Sequence, residues 1–278
     1  MEFKTLGRTG VQIPVLGLGT WGIGSLMNSS SQNDAIGIRA IRLGLDLGMR
    51  FIDTAEMYGR GHSEEVVAEA INGQRESVFL ATKVSAEHLA YDDVLRSCEA
   101  SLRRLRTKYL DLYQIHWPNT RIPLSETMRA MERLANEGKI RHIGVSNFSV
   151  RQLTEAQEAL SKTRVASNQV EYSLTERSIE RDILPFSEKE KITVIAYSPL
   201  ARGQISTQSY GDRWKVLDQV AATTHKTRSQ VALNWLLLKS TVVAIPKAAG
   251  LSHIRENFGS VGWRLSAEQK ERLEAAFK

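Results

Sequence analysis

The hydrophobic rhythm of this 278-residue chain changes roughly every 30 residues. Short, almost wholly apolar runs at 15–19, 51–53, 78–83, 109–116, 143–146, 166–171, 193–197 and 242–246 alternate with amphipathic stretches of helical period. A strand that is apolar on both faces belongs in a parallel sheet covered on both sides, because a half-exposed strand would alternate apolar with polar residues. Parallel strands need long crossover connections, and the helical stretches supply them. Eight such units over this length predict an α/β fold, a (β/α)8 TIM barrel formed as a single domain from residues 1–278. A doubly wound open sheet is the alternative architecture.

The helical stretches carry their own start and stop signals. Residues 34–47 place Ile38, Ile41 and Leu45 on one face and stop at Gly48, a residue suited to the left-handed position past a helix end. Residues 124–137 do the same with Met128, Met131 and Leu134 before Gly138. Ser149-x-x-Gln152, Thr227-x-x-Gln230 and Ser266-x-x-Gln269 have the spacing of capping boxes. The polar stretch from Asn28 to Asn33 reads as a loop too short to divide domains. The first segment differs: between Phe3 and Leu16, Gly7-Arg8-Thr9-Gly10 predicts a β-hairpin turn. That hairpin precedes the barrel and is expected to close its bottom.

Composition excludes several classes of protein. Hydrophobic residues make up 42%, enough for a large core. The formal net charge of +6 could draw anions. The densest basic cluster, Arg103, Arg104, Arg106 and Lys108, falls at a predicted helix end, where cations suit the helix dipole. It reads as a solvated helix end, and no nucleic-acid partner is expected. Cys98 is the lone cysteine and shares a stripe with Val94, Leu95, Leu102 and Leu105, so it reads as buried filler. No apolar leader and no membrane-length run appears, so a cytoplasmic protein without a membrane partner is expected.

In a barrel the strand ends share one rim, so residues far apart in sequence meet there. Here those ends are polar: Asp53, Lys83, His116, Ser146, Asn147, Gln169, Tyr197 and Lys247. Gly17-Leu18-Gly19-Thr20-Trp21-Gly22 matches a dinucleotide fingerprint, but that pattern needs a helix opening at the glycines, and helix signals wait until about residue 34. No metal-ligand spacing links the six histidines, so no metal is expected. Asp53, Tyr58, Lys83 and His116 remain. A phenol of pKa near ~10 is a sluggish acid at neutral pH. A nearby ammonium stabilises the phenolate and lowers that value. A carboxylate can hold the lysine, and an imidazole can orient a carbonyl oxygen. Such a set would protonate the oxygen of a carbonyl whose carbon is receiving hydride.

At this point the sequence resembles the aldo-keto reductase family over essentially its whole length. The resemblance rests on Gly17-Leu18-Gly19-Thr20-Trp21, Phe51-Ile52-Asp53-Thr54-Ala55-Glu56-Met57-Tyr58-Gly59, Ala81-Thr82-Lys83, Gly144-Val145-Ser146-Asn147-Phe148, Tyr197-Ser198-Pro199-Leu200 and Ile245-Pro246-Lys247, in that order. It implies NAD(P)H-dependent, reversible reduction of aldehydes and ketones on a (β/α)8 barrel. By similarity Tyr58 is the general acid and base, Lys83 paired with Asp53 tunes it, and His116 positions the carbonyl. Ser146, Asn147 and Gln169 match residues that hold the nicotinamide carboxamide, and Tyr197 the aromatic stacked on its ring. Ser198, Leu200 and Gly203 match the pyrophosphate segment, Lys247 a lysine beside the adenosine 2′-phosphate, and Glu256 and Asn257 the pair holding adenine. Gly19, Thr20, Trp21 and Pro246 fall in further motifs implied to touch the cofactor.

The adenosine end departs from the family pattern. Ala248 stands where a hydroxyl residue is common, and His253 where an arginine is common. Neutral histidine lacks the charged fork of arginine. NADPH is still expected, held through Lys247, with NADH as the alternative and Arg255 as a compensating cation. Trp21, Tyr58, His116 and Trp117 are expected to line an open pocket for small or medium carbonyl substrates. A cofactor-binding regulatory subunit and an unrelated phosphate-binding barrel enzyme are the competing readings, and a monomer is slightly favoured.

Overall fold

The structure, a computed structural model, describes residues 1–24 and 33–278. Most of the expected loop at Asn28–Asn33 lies outside the described residues. Ten strands are present among the described residues: β1 (Phe3–Thr5), β2 (Gln12–Pro14), β3 (Leu18–Gly19), β4 (Phe51–Asp53), β5 (Phe79–Val84), β6 (Leu110–Ile115), β7 (Ile140–Ser146), β8 (Val165–Glu171), β9 (Thr193–Tyr197) and β10 (Val242–Ala244). β3 to β10 pair in chain order, each parallel to the next. Bridges from Leu16 to Ala244 and from Gly19 to Lys247 join the two edges, so the sheet closes on itself. Closure removes the open edge that a doubly wound sheet would keep.

Helices α1 (Asp34–Asp46), α2 (His62–Ala70), α3 (Tyr91–Arg104), α4 (Leu124–Asn136), α5 (Val150–Glu158) and α6 (Ile183–Glu190) occupy the first six crossovers. A short α7 (Gln204–Thr207), α8 (Asp212–Thr224) and α9 (Arg228–Leu237) separate β9 from β10, and α10 (Leu251–Phe258) and α11 (Ala267–Ala276) follow. All three capping boxes form, at Ser149, Thr227 and Ser266. Each such cap stabilises its helix by about 0.5–2 kcal/mol. No helix among the described residues is long and apolar enough to cross a membrane.

Three expected strands shrink, 109–116 only by one residue at each end. Residues 15–19 reduce to Leu18–Gly19 with an isolated bridge at Leu16, and 242–246 stops at Ala244 before Pro246, which has no N–H to donate to a ladder. β7 instead gains Ile140–His142 at its start, because its pairing with β6 begins at Leu110.

The barrel interior is layered. Phe51, Ala81, Leu112, Ile195 and Val243 fill the lower part, joined by Leu6 and Ile13 from the β1–β2 hairpin. The hairpin therefore plugs the bottom, and Lys4 pins it there by donating to the carbonyls of Leu237, Lys239 and Val242. One layer above, the register sets Lys83 beside Gln114, Gln114 beside Gly144 and Ser146 beside Gln169. The apolar plug ends where this polar layer begins.

Candidate active site

Tyr58 follows β4 in a tight turn, Tyr58–Gly61, where Gly59, Arg60 and Gly61 all take left-handed φ before α2 starts. Gly61 has no substitute here. Its φ is +92°, and a Cβ would lie 2.5 Å from Arg104 Cδ. Arg104 is there because Glu64, fully buried on α2, takes its Nε at 2.6 Å and the Thr82 hydroxyl at 2.6 Å. Arg104 is thus not the solvated helix end that the basic cluster implied. It crosses to the neighbouring helix to balance a buried carboxylate, while Arg103, Arg106 and Lys108 stay exposed. Through Glu64 the helix that carries the Tyr58 turn is tied to Thr82, the neighbour of Lys83.

Lys83 is fully buried and uses all three protons. It donates to Asp53 Oδ1 at 2.5 Å, to the Thr54 carbonyl at 2.9 Å and to the Tyr58 hydroxyl oxygen at 3.2 Å. The second oxygen of Asp53 accepts from the side-chain amides of Gln114, at 3.0 Å, and Gln169, at 2.8 Å. Burial is the largest influence on Lys83 and opposes its charge. The Asp53 carboxylate and then Tyr58 more than offset it, and the pKa stands above its ordinary value.

For Tyr58 the sequence-based expectation is overturned in sign. Burial dominates and raises the phenol pKa; Lys83 lowers it through its charge and hydrogen bond but does not win. The phenol therefore stays protonated at neutral pH, the form an acid must have. The ring of His116 stands edge-on to Tyr58, centroids 5.6 Å apart. Burial, then the Lys83 charge, drives the imidazole pKa down to about 3, so it is neutral. Its buried Nδ1 has no hydrogen-bond partner among the described residues.

Beside these groups, Asn147 in a left-handed conformation donates to the His116 carbonyl at 3.1 Å and accepts from the Tyr197 hydroxyl at 3.1 Å. Ser146 donates to the Gln169 carbonyl at 2.9 Å. A cavity of about 670 Å³ runs along the rim past all of them. Its walls include Gly19, Thr20, Trp21, Asp53, Tyr58, His116, Trp117, Ser146, Asn147, Gln169, Tyr197, Ser198, Leu200, Gly203, Pro246, Lys247, Glu256 and Asn257. Of the four residues singled out from sequence for the reaction, Lys83 alone is not in the wall; it lies beneath Tyr58. Gln169 differs in detail, since its amide nitrogen is committed to Asp53.

The sequence reading missed Gln114, Met57, Arg202, Ser206 and Ser229. Gln114 had a signal: it interrupts an apolar run two residues before His116, so both point to the same side of β6. Arg202 lines the cavity and pairs with Glu171 at 3.3 Å. At the far end Lys247 is joined by His253, while Arg255 is exposed and not in the wall. Besides Lys247, the other lysine or arginine in the wall is Arg202. The wall fits an extended, doubly ended ligand: neutral hydrogen-bonding groups and an aromatic face at one end, cations at the other. Among the described residues no cluster of His, Cys, Asp and Glu is arranged to hold a metal ion.

Residues 15–278 match the model of the aldo/keto reductase family. The chain is 39% identical over 279 residues to methylglyoxal reductase YeaE of Escherichia coli strain K12, covering 100% of this chain and 96% of that protein. Its fold is similar to that of the thermostable aldo-keto reductase Tm1743 in complex with the inhibitor epalrestat, with TM-score 0.95, 44% identity, and 99% and 100% of the two chains covered. It is also similar to an aldo/keto reductase of Klebsiella pneumoniae in complex with NADP and acetate, with TM-score 0.87, 38% identity, and 99% and 95% covered.

Proposed function

The chain belongs to the aldo/keto reductase family, and on that premise we propose how its residues divide the work of NADP(H)-dependent carbonyl reduction. Bound NADPH supplies the hydride to the carbonyl carbon. Tyr58 gives its phenolic proton to the carbonyl oxygen as charge builds there, and takes it back in the reverse direction. The observation that carries this is the contact from Lys83 to the Tyr58 oxygen. An ammonium donating to that oxygen leaves the phenol's own proton free to point into the cavity. It also stabilises the phenolate left behind, and Asp53 keeps the ammonium charged. General acid catalysis of this kind contributes roughly 10²–10⁴-fold. His116, held neutral, donates one hydrogen bond that orients the carbonyl oxygen without adding charge.

Ser146, Asn147 and Gln169 hold the carboxamide edge of the nicotinamide and Tyr197 its face. Lys247, with Arg202 nearer the middle, meets the phosphates. The substrate enters between Trp21, Met57 and Trp117, which are all half-exposed. All three are apolar, which favours neutral carbonyls over keto acids. Together with the methylglyoxal reductase among its relatives, this supports small 2-oxoaldehydes and other compact aldehydes as substrates. The protein acts as one barrel domain and as a monomer, and its single reduced Cys98 suits the cytoplasm.

The test is NADPH oxidation with a panel at equal concentration: methylglyoxal, an aryl aldehyde and a keto acid such as pyruvate. Turnover of the first two well above pyruvate is expected. A preference for pyruvate contradicts the neutral-substrate reading, and a preference for NADH over NADPH removes Lys247 from its phosphate.

A further inference from the structure

At the opposite end of the barrel a second cavity, of about 240 Å³, opens between the hairpin turn and the starts of β7 and β8. Arg8, Arg141, Arg164 and His142 line it. None of them takes part in the reaction above. Three arginines line one hollow, so how far their charges are neutralised decides what the hollow is for.

The neutralisation is incomplete. Arg8 donates from Nε to the Glu190 carbonyl at 2.8 Å and reaches a Glu190 carboxylate oxygen at 3.4 Å. Arg141 reaches Asp111 Oδ1 at 3.3 Å, but the other oxygen of Asp111 already holds Arg75 at 2.8 Å. Arg164 has no carboxylate within 4 Å among the described residues. Four guanidiniums, of Arg8, Arg75, Arg141 and Arg164, thus share two carboxylates, Glu190 and Asp111, and two positive charges are left over. Two features hold the donors in place. The Arg141 guanidinium lies 3.9 Å from the Tyr109 ring centre, and Arg75 lies 4.2 Å from the same centre. Arg8 is fixed by the hairpin turn, where the Thr9 hydroxyl donates to the Leu6 carbonyl at 2.7 Å.

We propose that this cavity at the closed end of the barrel binds a small dianion, phosphate or a phosphate monoester, at a site separate from the cofactor's. A dianion matches the two-charge surplus. Planar guanidinium forks suit tetrahedral oxyanions in a way that point-like ammonium groups do not. His142 adds a neutral donor, since burial holds its pKa below the ordinary value. The hollow is concave, and carboxylates stand on two sides of it, which favours a compact ion over an extended polyanion.

The experiment is calorimetric titration of inorganic phosphate, and separately of glycerol 1-phosphate, into the protein saturated with NADPH. Saturation occupies Lys247 and Arg202. Salt is matched with chloride throughout. Saturable binding of at least one probe is expected, weakened about tenfold or more in Arg164→Gln, as losing a charge-assisted fork implies. Arg164 is exposed and outside the catalytic wall, so this variant should fold and keep its aldehyde turnover. Arg141→Gln should weaken the same binding independently. Tighter binding of glycerol 1-phosphate marks a monoester site; equal binding marks a phosphate site. Absence of saturable binding overturns the proposal. So does binding that Arg164→Gln leaves unchanged, or binding that appears only when NADPH is removed.

Discussion

A half-buried lysine and a fully buried one stand at opposite ends of this barrel, and each spends all three protons on the protein. Lys4, in the hairpin plug, donates to three carbonyls at 2.6–2.8 Å. Lys83, at the rim, donates to a carboxylate, a carbonyl and a phenol. Their charges fare differently. Burial, then repulsion from Arg264, pulls the Lys4 pKa down to about 8, and Glu2 only partly offsets this. Lys83 is more deeply buried, yet Asp53 and Tyr58 hold its pKa above the usual value. Carbonyl dipoles satisfy hydrogen bonds without supplying a countercharge, whereas a carboxylate fixes the charge itself. The plug needs only the bonds. The rim needs a permanent cation, because that cation is what acts on Tyr58.

Removing each ammonium separates the two roles. Lys83→Met leaves Asp53 buried without a counter-ion, a loss of about 3–5 kcal/mol for a broken buried pair. Turnover should fall by at least the roughly 10²–10⁴-fold of the acid step. Chemical denaturation and NADPH oxidation measure the two losses. Lys4→Met leaves carbonyls unpaired and should cost about 1–3 kcal/mol, while the folded fraction turns over as before. Equal loss of turnover in both variants would break the division between plug and rim.

Alkaline stability sharpens the contrast, because the two contributions have opposite sign. Lys83 has a raised folded pKa, so its stabilisation is fully present below the unfolded value near ~10.4 and is lost as pH rises through the folded value. Lys4 has a depressed folded value of about 8. Between there and ~10.4 the unfolded chain binds more protons, so this group's contribution to stability grows with pH. Denaturation curves between pH 8 and 10 should lose that upward component in Lys4→Met. An unchanged slope would mean that three carbonyls hold the proton as firmly as Asp53 does.

The smallest effect is expected at His62, which joins Glu65 at 2.9 Å and Asp34 at 3.0 Å. The hydrogen bond to Glu65 raises its pKa; burial opposes that, and Asp34 adds to it. Its stabilisation is complete below the unfolded value near ~6.5 and fades as pH rises through the folded one. His62→Gln should flatten stability between pH 6 and 8 by under about 1 kcal/mol, the usual worth of an ion pair near the surface.

The barrel and its rim were legible in the sequence because the apolar runs report burial on both faces and polar residues end them. Asp53, Lys83 and His116 could be read this way, each at the end of its own run. Glu64 and Arg104 could not. A glutamate on a helix and an arginine at a helix end read as solvated, and only the packing of α2 on α3 brings them together. The sign of the Tyr58 shift was illegible for a related reason. Lys83 can be read from sequence, but the depth of burial that outweighs it is a property of the whole rim. Arg202 was missed because its left-handed backbone, φ 53°, turns it into the cavity wall from a segment that reads as an ordinary loop.

The account stands or falls on the phenol of Tyr58 as the proton donor. Tyr58→Phe keeps the ring and its packing on His116 and removes only the hydroxyl. Measured side by side, NADPH affinity by fluorescence titration should stay close to wild type, while turnover of an aldehyde falls roughly 10²–10⁴-fold. A variant that binds NADPH normally and turns over within an order of magnitude of wild type would contradict it.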